Sequence, residues 1–106
     1  MVILHIEHPV SNFNFWKKAF DSDPVGRAKS GVKRYQVLRP WDDPNYVMID
    51  LEFNTVAQAE ALLAAMRVIW GRVEADGLIS SPQARILEAV ETMVLQPDES
   101  FYRVAE

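Results

Sequence analysis

Residues 46 to 53 alternate without a fault: Val47, Ile49, Leu51 and Phe53 fall on one side, and Tyr46, Met48, Asp50 and Glu52 on the other. Period-two patterning of this kind commits a segment to a β-strand with one face toward an apolar core and the other toward something more polar. A half-buried strand is not stable alone, so the rest of the chain must supply neighbours that share both faces. Val2 to Glu7 does so, with Val2, Leu4 and Ile6 opposed to Ile3, His5 and Glu7. Val32 to Arg39 reads as a third strand, Tyr35 and Val37 on one side and Arg34 and Gln36 on the other. The turn-rich block PWDDPN joins it to the 46–53 strand as a hairpin.

Two helices separate these strands. Ser11 is placed to cap the first, predicted over Asn12 to Ser22, with Phe13, Trp16 and Phe20 at helical spacing and Pro24 enforcing the stop. Thr55 is placed to cap the second, which carries Val56, Ala59, Leu62, Leu63, Met66 and Ile69 at three- and four-residue steps through about Ile69. Beyond Trp70, GRVEADGLISSP either extends that helix or breaks it at Gly71 or Gly77. Gln83 to Leu95 fits both periods and is read as a strand, because β-α-β-β-α lacks one strand of a ferredoxin-like sheet. The polar tail, 97–106, is expected to pack loosely or against a partner chain. The whole, residues 1–106, is one α+β domain.

Composition narrows the chemistry. The formal charge of −4 gives no footprint for a phosphate backbone, so nucleic acid is not an expected partner. No cysteine is present, which excludes disulfides, thiolate metal sites and a cysteine nucleophile together. No apolar run is long enough to span a bilayer and MVILHIEHPV lacks the marks of a leader, so a soluble, cytoplasmic protein without a membrane partner is expected. Phosphate-binding, dinucleotide-binding and nucleophile-elbow motifs are absent, as is zinc spacing; no cofactor and no metal is expected. Asp21 with Asp23, and Asp42 with Asp43, read as solvated turns, and Gly26-Arg27 is too common a pair to mark an anion site.

The stretch NFNFWKKAFDSDPVGR, followed by GVKRYQVLRPWDDPN and YVMIDLEF, resembles small proteins of the dimeric α/β-barrel superfamily, near the antibiotic-biosynthesis monooxygenases and polyketide cyclases. The likeness runs from about Ile3 to Ile69. It implies a ferredoxin-like, four-stranded antiparallel sheet in the order 4-1-3-2 with helices on one face. It also implies a homodimer in which two sheets face each other around a ligand cavity. The asparagine, tryptophan and histidine positions that haem-cleaving relatives rely on have no secure counterpart here; Trp70 and His5 match in residue type alone.

Within that frame, antiparallel pairing of the first and third strands sets His5 on the face of Met48 and Asp50. A hairpin pairing Val37 with Val47 and Tyr35 with Ile49 sets Arg34 opposite Asp50. The cavity face then holds His5, Glu7, Arg34, Gln36, Tyr46, Met48, Asp50 and Glu52. A histidine oriented by a carboxylate suits proton abstraction: His5 is the candidate base, Asp50 or Glu52 its orienting partner, and Arg34 or Tyr46 the stabiliser of an enolate or phenolate. Equally, Arg34 and Asp50 form a structural cross-strand pair and His5 satisfies hydrogen bonds at a dimer seam. His8, before Pro9, reads as a loop residue; Trp16 and Phe20 read as core, and Trp41 and Trp70 as interface aromatics. Ile3, Val32, Leu38 and Met48 mark the face left for a second copy. The expected function is binding of a small aromatic or polyketide-like molecule. That binding serves either cofactor-independent oxygenase, cyclase or isomerase chemistry or a non-catalytic binding or interaction role.

Overall fold

In the computed structural model, which describes residues 1–104, the chain runs β1 (Val2–Pro9), α1 (Phe13–Asp21), β2 (Arg34–Leu38), β3 (Tyr46–Phe53), α2 (Val56–Ala75), β4 (Gln83–Glu88), β5 (Met93–Leu95) and β6 (Phe101–Arg103). The first four strands form one antiparallel sheet in the order β2-β3-β1-β4, the expected topology. At its centre β1 and β3 pair Leu4 with Leu51, His5 with Asp50 and Ile6 with Ile49. Leu4, Ile6, Val47, Ile49, Leu51 and Phe53 are buried with Trp16, Ala59, Leu62, Leu63 and Trp70, so both helices cover this face. Among the described residues no helix or second sheet covers the opposite face.

The hairpin register differs from expectation by two residues: Val37 pairs with Ile49, Tyr35 with Leu51, and Arg34 meets Glu52, not Asp50. Arg39 and Pro40 leave the ladder, since proline has no N–H to give it, and the loop makes its own turn through Asp43 N–H to Pro40 O at 3.1 Å. Tyr46 and Val47 are thereby left to pair with Pro9 and His8 of β1. A slip of two keeps every side chain on its face. β2 is shorter than the 32–39 span, and Val32 packs against the core instead of marking the open face.

Both caps act locally. Asn12, not Ser11, caps α1, its side chain accepting from Phe15 N–H at 3.0 Å, while Ser11 bonds Leu78 O. Thr55 caps α2 as expected, accepting from Gln58 N–H at 3.2 Å. α2 continues past Ile69 to Ala75. An exposed Gly71 costs about 1 kcal/mol within a helix, and burial of Trp70 with partial burial of Val73 against the core outweighs it.

The strand expected over 83–95 is two separate elements. Ala89 N–H still reaches Met1 O at 2.9 Å, but beyond it Val90 stands exposed. Beyond it, β5 and β6 pair with each other, Leu95 with Phe101 and Met93 with Arg103. The tail is thus partly an ordered hairpin; its final residues, 105–106, lie outside the described residues.

Leu4 is fully buried on the central strand while Trp41 is 97% exposed in the loop after β2. Urea unfolding should therefore show Leu4→Ala losing about 2–5 kcal/mol and Trp41→Ala staying within about 0.5 kcal/mol of the parent. Equal losses at the two sites would contradict this core.

Candidate functional site

The open face of the sheet reads as three rows across β2-β3-β1-β4. They are Leu38–Met48–Glu7–Gln83, Gln36–Asp50–His5–Arg85 and Arg34–Glu52–Ile3–Leu87. All eight residues named from the sequence for this face lie on it, Tyr46 opposite Pro9 at its end. Four are joined in one chain of hydrogen bonds. His5 Nδ1 is 2.6 Å from Asp50 Oδ1, His5 Nε2 is 2.8 Å from Glu7 Oε2, and the Tyr46 hydroxyl donates to Glu7 Oε1 at 2.9 Å. Arg34 and Glu52 form a separate pair through Arg34 Nε. Gln36 lies beside Asp50, and Met48 beside Glu7.

The Glu7 contact, followed by that of Asp50, raises the His5 pKa above its ordinary 6.5 against the opposing effect of burial. His5 in turn, with Tyr46, lowers that of Glu7. A carboxylate on each ring nitrogen favours the protonated ring, which donates to both. In that form the ring has no lone pair for a substrate proton until one carboxylate lets go. Beside it a hollow of about 400 Å³ is lined by His5, Glu7, Gln83, Ala84, Arg85 and Leu87 of β1 and β4, with nothing of its own chain above it.

A second cavity, which sequence reasoning missed, lies on the other face. About 150 Å³ in volume and partly open to solvent, it lies between the sheet, both helices and the segment after α1, and its walls include Ile6, Trp16, Phe20, Ile49, Met66 and Trp70. Trp16 and Phe20 stack at 5.1 Å. The lining also includes the polar residues Ser22, Arg27 and His8. Arg27 is held by Phe20 O at 2.8 Å and lies over the Phe20 ring, 4.0 Å from its centroid.

His8 is not a loop residue. It is 1% exposed, paired with Val47 in β1, and meets Trp16 edge-on at 6.0 Å. Parity explains the difference: three residues from His5, it points to the opposite face. Burial lowers its pKa against the opposing pull of the Pro9 carbonyl and Glu74. Nδ1 lies 3.1 Å from Pro9 O, and a carbonyl only accepts, so Nδ1 carries the hydrogen and Nε2 holds the lone pair of a neutral ring. Nε2 has no hydrogen-bond partner among the described residues. The available signal was the phase of β1 itself, which puts His8 with Leu4 and Ile6. Trp70, expected at an interface, is likewise buried and lines this cavity, whereas Trp41 is exposed.

No group of three or more histidine, aspartate or glutamate side chains among the described residues is placed to hold a metal ion. No helix among them is long and apolar enough to cross a membrane.

No family model and no curated protein sequence matches the chain. Among solved structures it is similar to SnoaB, a cofactor-independent oxygenase from Streptomyces nogalater, at 16% identity over 86% of this chain and 94% of that one, with a TM-score of 0.68. A candidate antibiotic biosynthesis monooxygenase from Deinococcus radiodurans is similar at 18% identity over 91% and 99% of the two chains, TM-score 0.67. A dimeric ferredoxin-like protein from an uncultured marine organism is similar at 15% identity over 99% and 95%, TM-score 0.57. The structure is thus a ferredoxin-like α+β fold whose structural neighbours are antibiotic-biosynthesis-monooxygenase-like proteins. At these identities the likeness defines the fold.

The two histidines titrate in opposite directions. The contribution of His5 to stability is complete below 6.5 and is lost as pH rises through its raised folded value. That of His8 is complete above 6.5 and is lost as pH falls toward its lowered one. An NMR titration of the imidazole resonances should place the His5 midpoint above 6.5 and the His8 midpoint below it. The reverse order would refute the assigned environments.

Proposed function

We propose that this chain is a homodimeric protein that binds a small aromatic phenol or enol between its sheet and helices and removes a proton from it without a cofactor. The observation that carries this reading is His8: a buried imidazole that burial biases toward its neutral form, its Nδ1 turned to Pro9 O, on the wall of a partly open cavity lined mainly by aromatic and aliphatic side chains. The volume sets the ligand class, because about 150 Å³ accommodates roughly one aromatic ring. The stacked Trp16 and Phe20 rings, with Trp70, supply faces for such a ring.

In the step proposed, Nε2 takes the proton and the electron pair stays on the ligand as a phenolate or enolate. Such an anion is electron-rich enough to react with dioxygen directly, as the existence of a cofactor-independent oxygenase on this fold illustrates; it also serves cyclisation or isomerisation. The dimer reading is supported by the uncovered sheet face and by a dimeric neighbour of the same fold.

The His5 group supports a second reading, in which the ligand occupies the open-face hollow. There Asp50 orients His5, and Glu7, Arg34, Gln36, Tyr46, Met48 and Glu52 surround the ligand. A third reading, a non-catalytic binding module, needs only the cavity.

A thermal-shift panel of single-ring phenols, larger polyketide-like aromatics and haem tests these readings. Single-ring phenols should raise the melting temperature, and Met66→Trp, which fills the inner cavity, should abolish the shift. On a substrate found this way, His8→Gln should reduce turnover by about 100-fold or more. If His5→Gln does so and His8→Gln does not, the base lies on the open face. A shift without turnover would leave binding alone.

A further inference from the structure

We propose that the β5–β6 hairpin of each chain is an arm that lies on a second copy of the chain, over the hollow beside His5, and completes that site. The inference rests on the homodimer reading and specifies which segment of the partner reaches the site.

The hairpin is too small to stand unsupported. Its strands are three residues each, pair only with one another, and contribute nothing to the hydrophobic core. Isolated two-stranded hairpins are marginal in water even when longer. Yet this one is largely apolar on both faces. Opposed residues of an antiparallel pair point the same way, so Met93, Leu95 and Phe101 share one face with Arg103, which pairs with Glu91, and Val94 and Tyr102 share the other. Met93, Val94, Leu95, Phe101 and Tyr102 are all exposed, Phe101 at 63% and Leu95 at 56%. The chain is 50 Å long and 21 Å thick, with a radius of gyration of 15.4 Å, against about 13 Å for a compact domain of this size.

The same chain exposes a complementary vacancy. The hollow lined by His5, Glu7, Arg85 and Leu87 is floored by the sheet and has no roof, and Ile3 and Leu87 form an apolar corner beside it. A second copy covers both surfaces at once: the arm of one chain lays Phe101 and Leu95 against the Ile3–Leu87 corner of the other, and symmetry repeats the contact. Closure of the hollow would remove water from the His5, Glu7 and Asp50 cluster, so the environment of that cluster depends on the partner.

The test is the oligomeric state of the full chain. Phe101→Asp, on a side chain exposed in the single chain, should leave the far-ultraviolet circular dichroism intact. It should weaken the dimer about 30-fold or more in sedimentation equilibrium, the loss expected of a central interface anchor. The absence of native cysteine permits a second readout: a chain carrying Leu87→Cys mixed with one carrying Phe101→Cys should form a disulfide-linked heterodimer under mild oxidation. A dimer unchanged by Phe101→Asp that gives no mixed disulfide would overturn the arm while leaving the homodimer standing. A parent chain that is monomeric at micromolar concentration would overturn both.

Discussion

The pairing of β1 with β3 is the contact on which the rest of the molecule depends. Both strands are eight residues long and fully matched, and between them they decide which half of the side chains goes into the core. Leu4 against Leu51 and Ile6 against Ile49 give the helices a continuous apolar surface to cover. The same ladder sets His5 against Asp50 on the other side. A shift of one residue would bury His5 and Asp50 and expose the leucines and isoleucines, at a cost no loop could offset.

Much of this was legible in the sequence because parity survives small errors. The strand over Tyr46–Phe53 and the alternating faces of β1 and β3 follow from periodicity, the strand order from the family resemblance, and the two-residue slip of the hairpin left the faces of the paired residues intact while changing the partner of Arg34. Elements whose boundaries depend on where a neighbour ends were harder to read. The strand after Gln83 ends where its pairing with β1 ends, at Val2 opposite Glu88, which its own composition does not record. Likewise α2 runs through Gly71 because Trp70 and Val73 find a core beneath them.

The candidate site was half legible for a related reason. His5 and its carboxylates are a local consequence of register. The inner cavity depends on how far the helices stand off the sheet, which is set by the sizes of Trp16, Phe20 and Trp70 together and cannot be read from any one of them. His8 was mistaken for a loop residue because Pro9 follows it. A proline at the last position of a strand, however, leaves the preceding residue free to remain in the ladder.

The central place of β1 also shapes how the chain must fold. His5 and Asp50 are 45 positions apart, and the other neighbour of β1 lies further still along the chain. Long loops must therefore close before the central strand gains either flank, a topology associated with slower folding than helical bundles of equal size. During synthesis β1 emerges before β3 and β4, its two partners, and is flanked on both sides only when β4 has formed. Until Gln83–Glu88 leaves the ribosome, one edge of an apolar strand stands unpaired, and that interval is when this protein is most exposed to association with the wrong strand.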